Sequence, residues 1–216
     1  MTPVAWGVFA LAGALALVDW FAVGRGIRAL EYAAKPATLA ALIVAAVALD
    51  PQVPGRRAWF VAALVLSLAG DVFLMLPERR RGPDLFVAGL ASFLLAHVAY
   101  VAGFSVEGPS AGAVAGSALV VGVLAVVLGA RIVRAAAASD GPAGAAPVAV
   151  YVGVISTMVA FALATRESLA ALGAVSFFLS DFLIGWTRFV GAVRGGRLAV
   201  ITTYHVGQAL LVLSLV

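Results

Sequence analysis

The chain has 216 residues, 64% of them hydrophobic and 11% charged, with a mean hydropathy of +1.12, where a soluble domain is about half apolar; this composition excludes one and implies an integral membrane protein. Its 14 Lys+Arg, 13 of them arginine, give a net charge of +4, but they lie between apolar runs, so they read as membrane-orientation signals and no nucleic-acid partner is expected. Cysteine is absent, which excludes disulfides, thiol nucleophiles and thiolate metal sites.

Crossing about 30 Å of hydrocarbon takes roughly 20 apolar residues. Charged and Gly/Pro punctuation divides the chain into eight such stretches, near 3–23, 33–50, 57–76, 84–104, 110–130, 147–165, 168–187 and 198–216. The expected fold is therefore all-α, one polytopic transmembrane domain over 1–216 with no room for an extramembrane domain. The first stretch, MTPVAWGVFALAGALALVDW, lacks a basic start and reads as a span and not as a cleaved signal peptide. Lys35 and Pro36 open the second, which Pro36 interrupts at its start. Asp71 lies in the third, within SLAGDVFLML, and His97 in the fourth, within SFLLAHVAY. RIVRAAAASDGPAGAAP at 131–147 reads as a flexible surface loop before the sixth. The seventh carries Asp181 in SFFLSDFLIGW, and the eighth carries Tyr204, His205 and Gln208.

Odd-numbered loops hold 11 basic residues, among them Arg79, Arg80 and Arg81, and even-numbered loops hold 3. The positive-inside rule puts the odd loops in the cytoplasm and both termini outside the cell (inner) membrane. On those spans Asp71 lies about five residues and Asp181 about six from the cytoplasmic end, roughly 8–9 Å deep at 1.5 Å per residue. Tyr204, His205, Gln208, Lys35, Asp19 and Glu31 gather toward the same side, with His97 nearer mid-membrane. Polar groups at one depth on several helices predict a single cavity open to the cytoplasm. Setting LAGDVFLM (68–75) beside FLSDFLIG (178–185) also brings His97, 26 residues after Asp71, near Gln208, 27 after Asp181. Spans one to four and five to eight then read as two parallel repeats.

A carboxylate in hydrocarbon costs several kcal/mol or takes up a proton, so two of them point to function more than to structure alone. Facing one cavity, repulsion and burial would keep one protonated and the other ionised, which supplies a general acid beside a general base. His97 reads as a proton relay or as a packing residue bonded to a backbone carbonyl. Helical periodicity sets Tyr204 and Gln208 within about 40° of each other, with His205 at the cavity edge. Lys35, the one lysine, reads as a snorkelling membrane-edge residue, as a holder of lipid phosphate, or as the charge that balances an aspartate. With two histidines and no cysteine, a catalytic zinc would need carboxylates to complete it, and no metal is expected. Phosphate-loop, nucleophilic-serine and HExxH motifs are absent.

The segments KP at 35–36, GDVFL at 70–74, FLLAHVAY at 93–100, SD at 180–181 and YHVGQALL at 204–211 cover nearly the whole chain in order. Together they resemble the YhhN family of eight-span membrane proteins, which includes the vertebrate lysoplasmalogenases; one departure is Gly207, where alanine is expected before Gln208. The resemblance implies hydrolysis of the vinyl ether bond of a lysophospholipid taken from the bilayer, giving a fatty aldehyde and a glycerophospho-alcohol, with no cofactor and no obligate protein partner. One of Asp71 and Asp181 would then be the acid and the other the base, with Gln208, Tyr204 and His97 positioning water or the ether oxygen and Lys35 the phosphate. The competing expectations are a proton-coupled carrier that uses the same aspartates as proton sites, and a non-catalytic lipid-binding protein.

Overall fold

In hydrocarbon every backbone polar group must be satisfied within the chain, so long apolar runs become helices. The computed structural model describes residues 2–76, 85–106 and 108–216, and among them the secondary structure is helical throughout. The helices are α1 (Pro3–Arg25), α2 (Arg28–Ala48), α3 (Pro54–Met75), α4 (Leu85–Phe104), α5 (Ala111–Ser139), α6 (Gly144–Ala164), α7 (Ser168–Phe189) and α8 (Gly196–Leu213). Seven of them, α1 to α7, are long and apolar enough to cross a membrane. The eighth has 18 residues and carries Arg197, Thr202, Thr203, Tyr204, His205 and Gln208. Large apolar side chains such as Leu11, Phe21, Val47, Leu119 and Val126 stand exposed along these helices, the surface that lipid covers in an integral membrane protein. Arg79, Arg80 and Arg81 of the orientation signal lie outside the described residues.

Two local features differ from the expected spans. The second helix begins at Arg28 and runs through Pro36, which has no N–H to give the Tyr32 carbonyl four residues back and so loosens the turn that carries Lys35. The segment expected to be a surface loop is mostly helix: α5 continues through the Ala-rich run to Ser139, because alanine is the strongest helix former. The chain breaks at Gly141, with φ 68° and ψ −166°, and Pro142 follows. Pro147 falls in the first turn of α6, where an N–H would lack a helical partner in any case.

The chain forms two compact units, Met1–Val106 with Leu211–Val216, and Glu107–Leu210. In the first, α1 packs on α2, α2 on α3 and α3 on α4. Thr2 Oγ1 accepts the Ala5 N–H at 3.0 Å and donates to the Ala48 carbonyl at 2.9 Å, which caps α1 and joins it to the end of α2. Glycines bring α3 and α4 close: a Cβ on Gly70 would lie 2.7 Å from the Phe93 ring, and one on Gly103 2.7 Å from Phe60. Phe60 in turn meets Tyr100 and Phe104 edge to face, at 4.9 and 5.1 Å between centroids.

In the second unit, Gly129 lets α5 approach Val152 of α6, and Gly185 of α7 packs on Ile132 of α5. Ile132, Ala136 and Val148 form a core against Phe182, Trp186 and Phe189, and Arg131 caps it with its guanidinium 4.9 Å from the Trp186 ring. Helices α7 and α8 meet backbone to backbone, where a Cβ on Gly207 would lie 2.9 Å from the Phe177 nitrogen and 3.0 Å from the Gly173 oxygen. Both obstacles are backbone, which cannot rotate away as a side chain can. The glycine that departs from the expected alanine is therefore required by this packing.

Gly207→Ala should destabilise the protein by about 1–3 kcal/mol, the usual cost of overpacking, read as a lowered thermal midpoint in detergent. Gly13→Ala on α1, whose Cβ would meet nothing within 4 Å, should be neutral or slightly stabilising. Equal midpoints for the two variants would rule out the close approach of α7 and α8.

Candidate active site

Helix periodicity and the proline on α2 decide how the first unit presents its charges. Asp71 follows Gly70 directly, so the carboxylate leaves α3 next to the point where the Phe93 ring of α4 comes close. The Asp71 side chain is 1% exposed, and Lys35 Nζ lies 2.8 Å from its Oδ1. Lys35 is 15% exposed, so the pair is an ion pair inside the helix bundle. Of the roles open to Lys35, this contact is the charge-balancing one. His97 on α4 and Asp19 on α1 are also buried in this unit. Ser67, one turn before Asp71, is buried with no hydrogen-bond partner for its hydroxyl among the described residues.

The second unit holds Asp181 differently. The Tyr151 hydroxyl of α6 donates to Asp181 Oδ2 at 2.5 Å across 30 residues of chain. Next to the aspartate, the Ser180 hydroxyl donates to the Val200 carbonyl at 3.1 Å, tying α7 to α8. Asp181 and Tyr151 are half-buried, in contrast to Asp71. Tyr204, His205 and Gln208 are all buried on α8. Tyr204 stands edge to face with Phe177 at 5.3 Å, and its ring lies 5.6 Å from that of His205, so the histidine set at the cavity edge is as buried as its neighbours.

The two aspartates differ in depth along their helices as well as in partner. Asp71 stands four residues before the end of α3 at Met75, about 6 Å, and Asp181 eight before the end of α7 at Phe189, about 12 Å. The expected spans ended at 76 and 187, which gave five and six residues, where the helices end at 75 and 189. Tyr151 escaped the sequence reading altogether. The available signal was a phenol inside the apolar run VAVYVGVIST, where an O–H in a membrane helix needs an acceptor from another helix. Among the described residues, no group of three or more His, Asp or Glu could hold a metal ion.

The two carboxylates, the lysine–proline pair and the α8 polar residues all fall within the match of this sequence to the YhhN family, which covers residues 30–215. The chain belongs to the YhhN family. Among its relatives, a protein of Mycobacterium bovis named lysoplasmalogenase is 30% identical over 207 residues, covering 87% of this chain and 78% of the relative. A Mycobacterium tuberculosis protein of the same name matches with the same identity and coverage. The human protein named lysoplasmalogenase TMEM86B is 33% identical over 152 residues, 70% of this chain and 61% of its own length. No solved structure matches the chain.

Removing one partner of a buried ion pair strands the other charge. Lys35→Met should therefore cost about 3–5 kcal/mol of stability, and pairing it with Asp71→Leu should recover most of that loss. Thermal unfolding of the two single variants and the double variant measures this, and simple additivity would show that the two side chains do not interact.

Proposed function

We propose that this YhhN-family protein hydrolyses the vinyl ether bond of lysoplasmalogens to a fatty aldehyde and a glycerophospho-alcohol, with Asp71 and Asp181 as its acid–base pair. The relatives named lysoplasmalogenase support the substrate class. The observation that carries the chemistry is the unlike pairing of the two carboxyls, Asp71 with an ammonium and Asp181 with a phenol.

A vinyl ether is cleaved by adding a proton to its terminal alkene carbon, which leaves an oxocarbenium ion. Asp181, half-buried and bonded to a neutral donor, is the acid that delivers this proton. Asp71, kept as a carboxylate by its ion pair with Lys35, stabilises the cation and takes a proton from the attacking water, as the second carboxylate of a glycosidase does. The hemiacetal then collapses. Its hydroxyl proton returns to Asp181 while Asp71 protonates the departing glycerol oxygen, so both acids end as they began and one water is consumed. Gln208, Tyr204 and His97 position the water and the ether oxygen, and Lys35 serves the reaction through Asp71. The orientation with both termini outside puts this chemistry near the cytoplasmic leaflet.

Purified protein given lysoplasmenylethanolamine in detergent should release fatty aldehyde, and Asp71→Asn and Asp181→Asn should each lower kcat by at least about 100-fold, with thermal midpoints showing the variants folded. Folded variants that keep full turnover would leave the aspartates structural. Uptake of a solute into vesicles with no aldehyde formed would favour a carrier. Tags at the two termini should both be reached by a membrane-impermeant label on intact cells; labelling only after lysis would reverse the orientation.

A further inference from the structure

Resting on the hydrolase reading above, we propose that Tyr151 is the positioning residue for Asp181: its hydroxyl engages Oδ2, so that proton exchange with the substrate runs through Oδ1. The phenol is the donor in this contact and Oδ2 the acceptor. A protonated carboxyl that accepts a hydrogen bond from tyrosine at one oxygen carries its own exchangeable proton on the other, so the hydrogen bond decides which oxygen reacts.

The surrounding packing turns this contact into a fixed orientation. Aspartate has two side-chain torsions, and its backbone is held from both flanks: Ser180 is bonded to the Val200 carbonyl of α8, and Gly185, one turn on, packs on Ile132 of α5. With α7 so placed, the two side-chain torsions of Asp181 remain, and the Tyr151 bond at Oδ2 restrains them together. Tyrosine suits this task because its ring is rigid and reaches across a helix interface with little rotamer entropy to lose. Tyr151 is itself set by local sequence, lying one turn after Pro147 and two to three turns after the break at Gly141 that fixes where α6 starts. Misplacing an acid by a fraction of an ångström costs turnover while leaving substrate affinity alone, since the bond matters only when the proton moves.

The test compares Tyr151→Phe with wild type, in the native background and in Asp181→Glu, which keeps a carboxyl but moves it off the tyrosine. Tyr151→Phe should lower kcat for aldehyde release about 10- to 100-fold with KM changed less than about threefold. In the Asp181→Glu background the same change should cost less than about twofold, because the group it positions has already moved. A loss of folding would act equally in both backgrounds, so an equal factor in the two overturns the proposal, as does a Tyr151→Phe enzyme with unchanged kcat. The infrared carboxyl band that vanishes in Asp181→Asn should also shift in Tyr151→Phe; an unshifted band refutes the hydrogen bond without reference to activity. A shifted band in Tyr151→Phe together with wild-type protein that releases no aldehyde overturns the hydrolase reading and the catalytic role of Tyr151, and leaves the contact itself standing.

Discussion

A carboxyl group buried among apolar helices has to meet a donor from another helix, and this requirement organises both halves of the protein. Asp71 meets the ammonium of Lys35 and Asp181 meets the phenol of Tyr151. Each contact joins helices that are neighbours in sequence, α2 with α3 and α6 with α7, so satisfying the acid and packing the bundle are one event. Breaking an ion pair of this kind commonly costs several kcal/mol because the stranded charge has no water to turn to. The pairs are thus constraints on the fold before they are parts of any mechanism.

Helix approach is the second half of the same constraint. The donors reach each acid from one neighbouring helix, α2 or α6, and glycine lets the helix on another side, α4 or α8, come close beside the same acid. Gly70 admits the Phe93 ring next to Asp71, and Gly207 admits the α7 backbone at Phe177, one turn before Asp181. In the second unit the contact is backbone to backbone, which leaves little room for a Cβ at 207.

In the proposed mechanism the unlike donors also give the two acids unlike chemistry. An ammonium fixes its partner as an anion, whereas a phenol bonds to one oxygen and leaves the carboxyl able to carry a proton on the other. A pair of identical residues can in this way be divided into acid and base by what lies beside each of them. Two aspartates and no cysteine are sufficient material for cleaving a vinyl ether, which needs a proton delivered to carbon, a countercharge for the cation and an acceptor for the proton of water.

Composition and periodicity were enough to show an all-helical membrane chain and each of the eight helices described, because burial in lipid writes itself as long unbroken apolar runs. They were enough as well to single out Asp71 and Asp181, since a charge in such a run is conspicuous. The sequence misjudged α2, which passes through Pro36, and the Ala-rich end of α5, where helix propensity prevailed over loop-like composition. What only the tertiary structure decided was pairing: that Lys35 answers Asp71, that Tyr151 answers Asp181, and that Gly207 is a point of backbone contact. The physical reason is that an isolated aspartate announces its need for a donor through local surroundings alone, while the donor is chosen by which helix face lies opposite, and that depends on packing across dozens of residues.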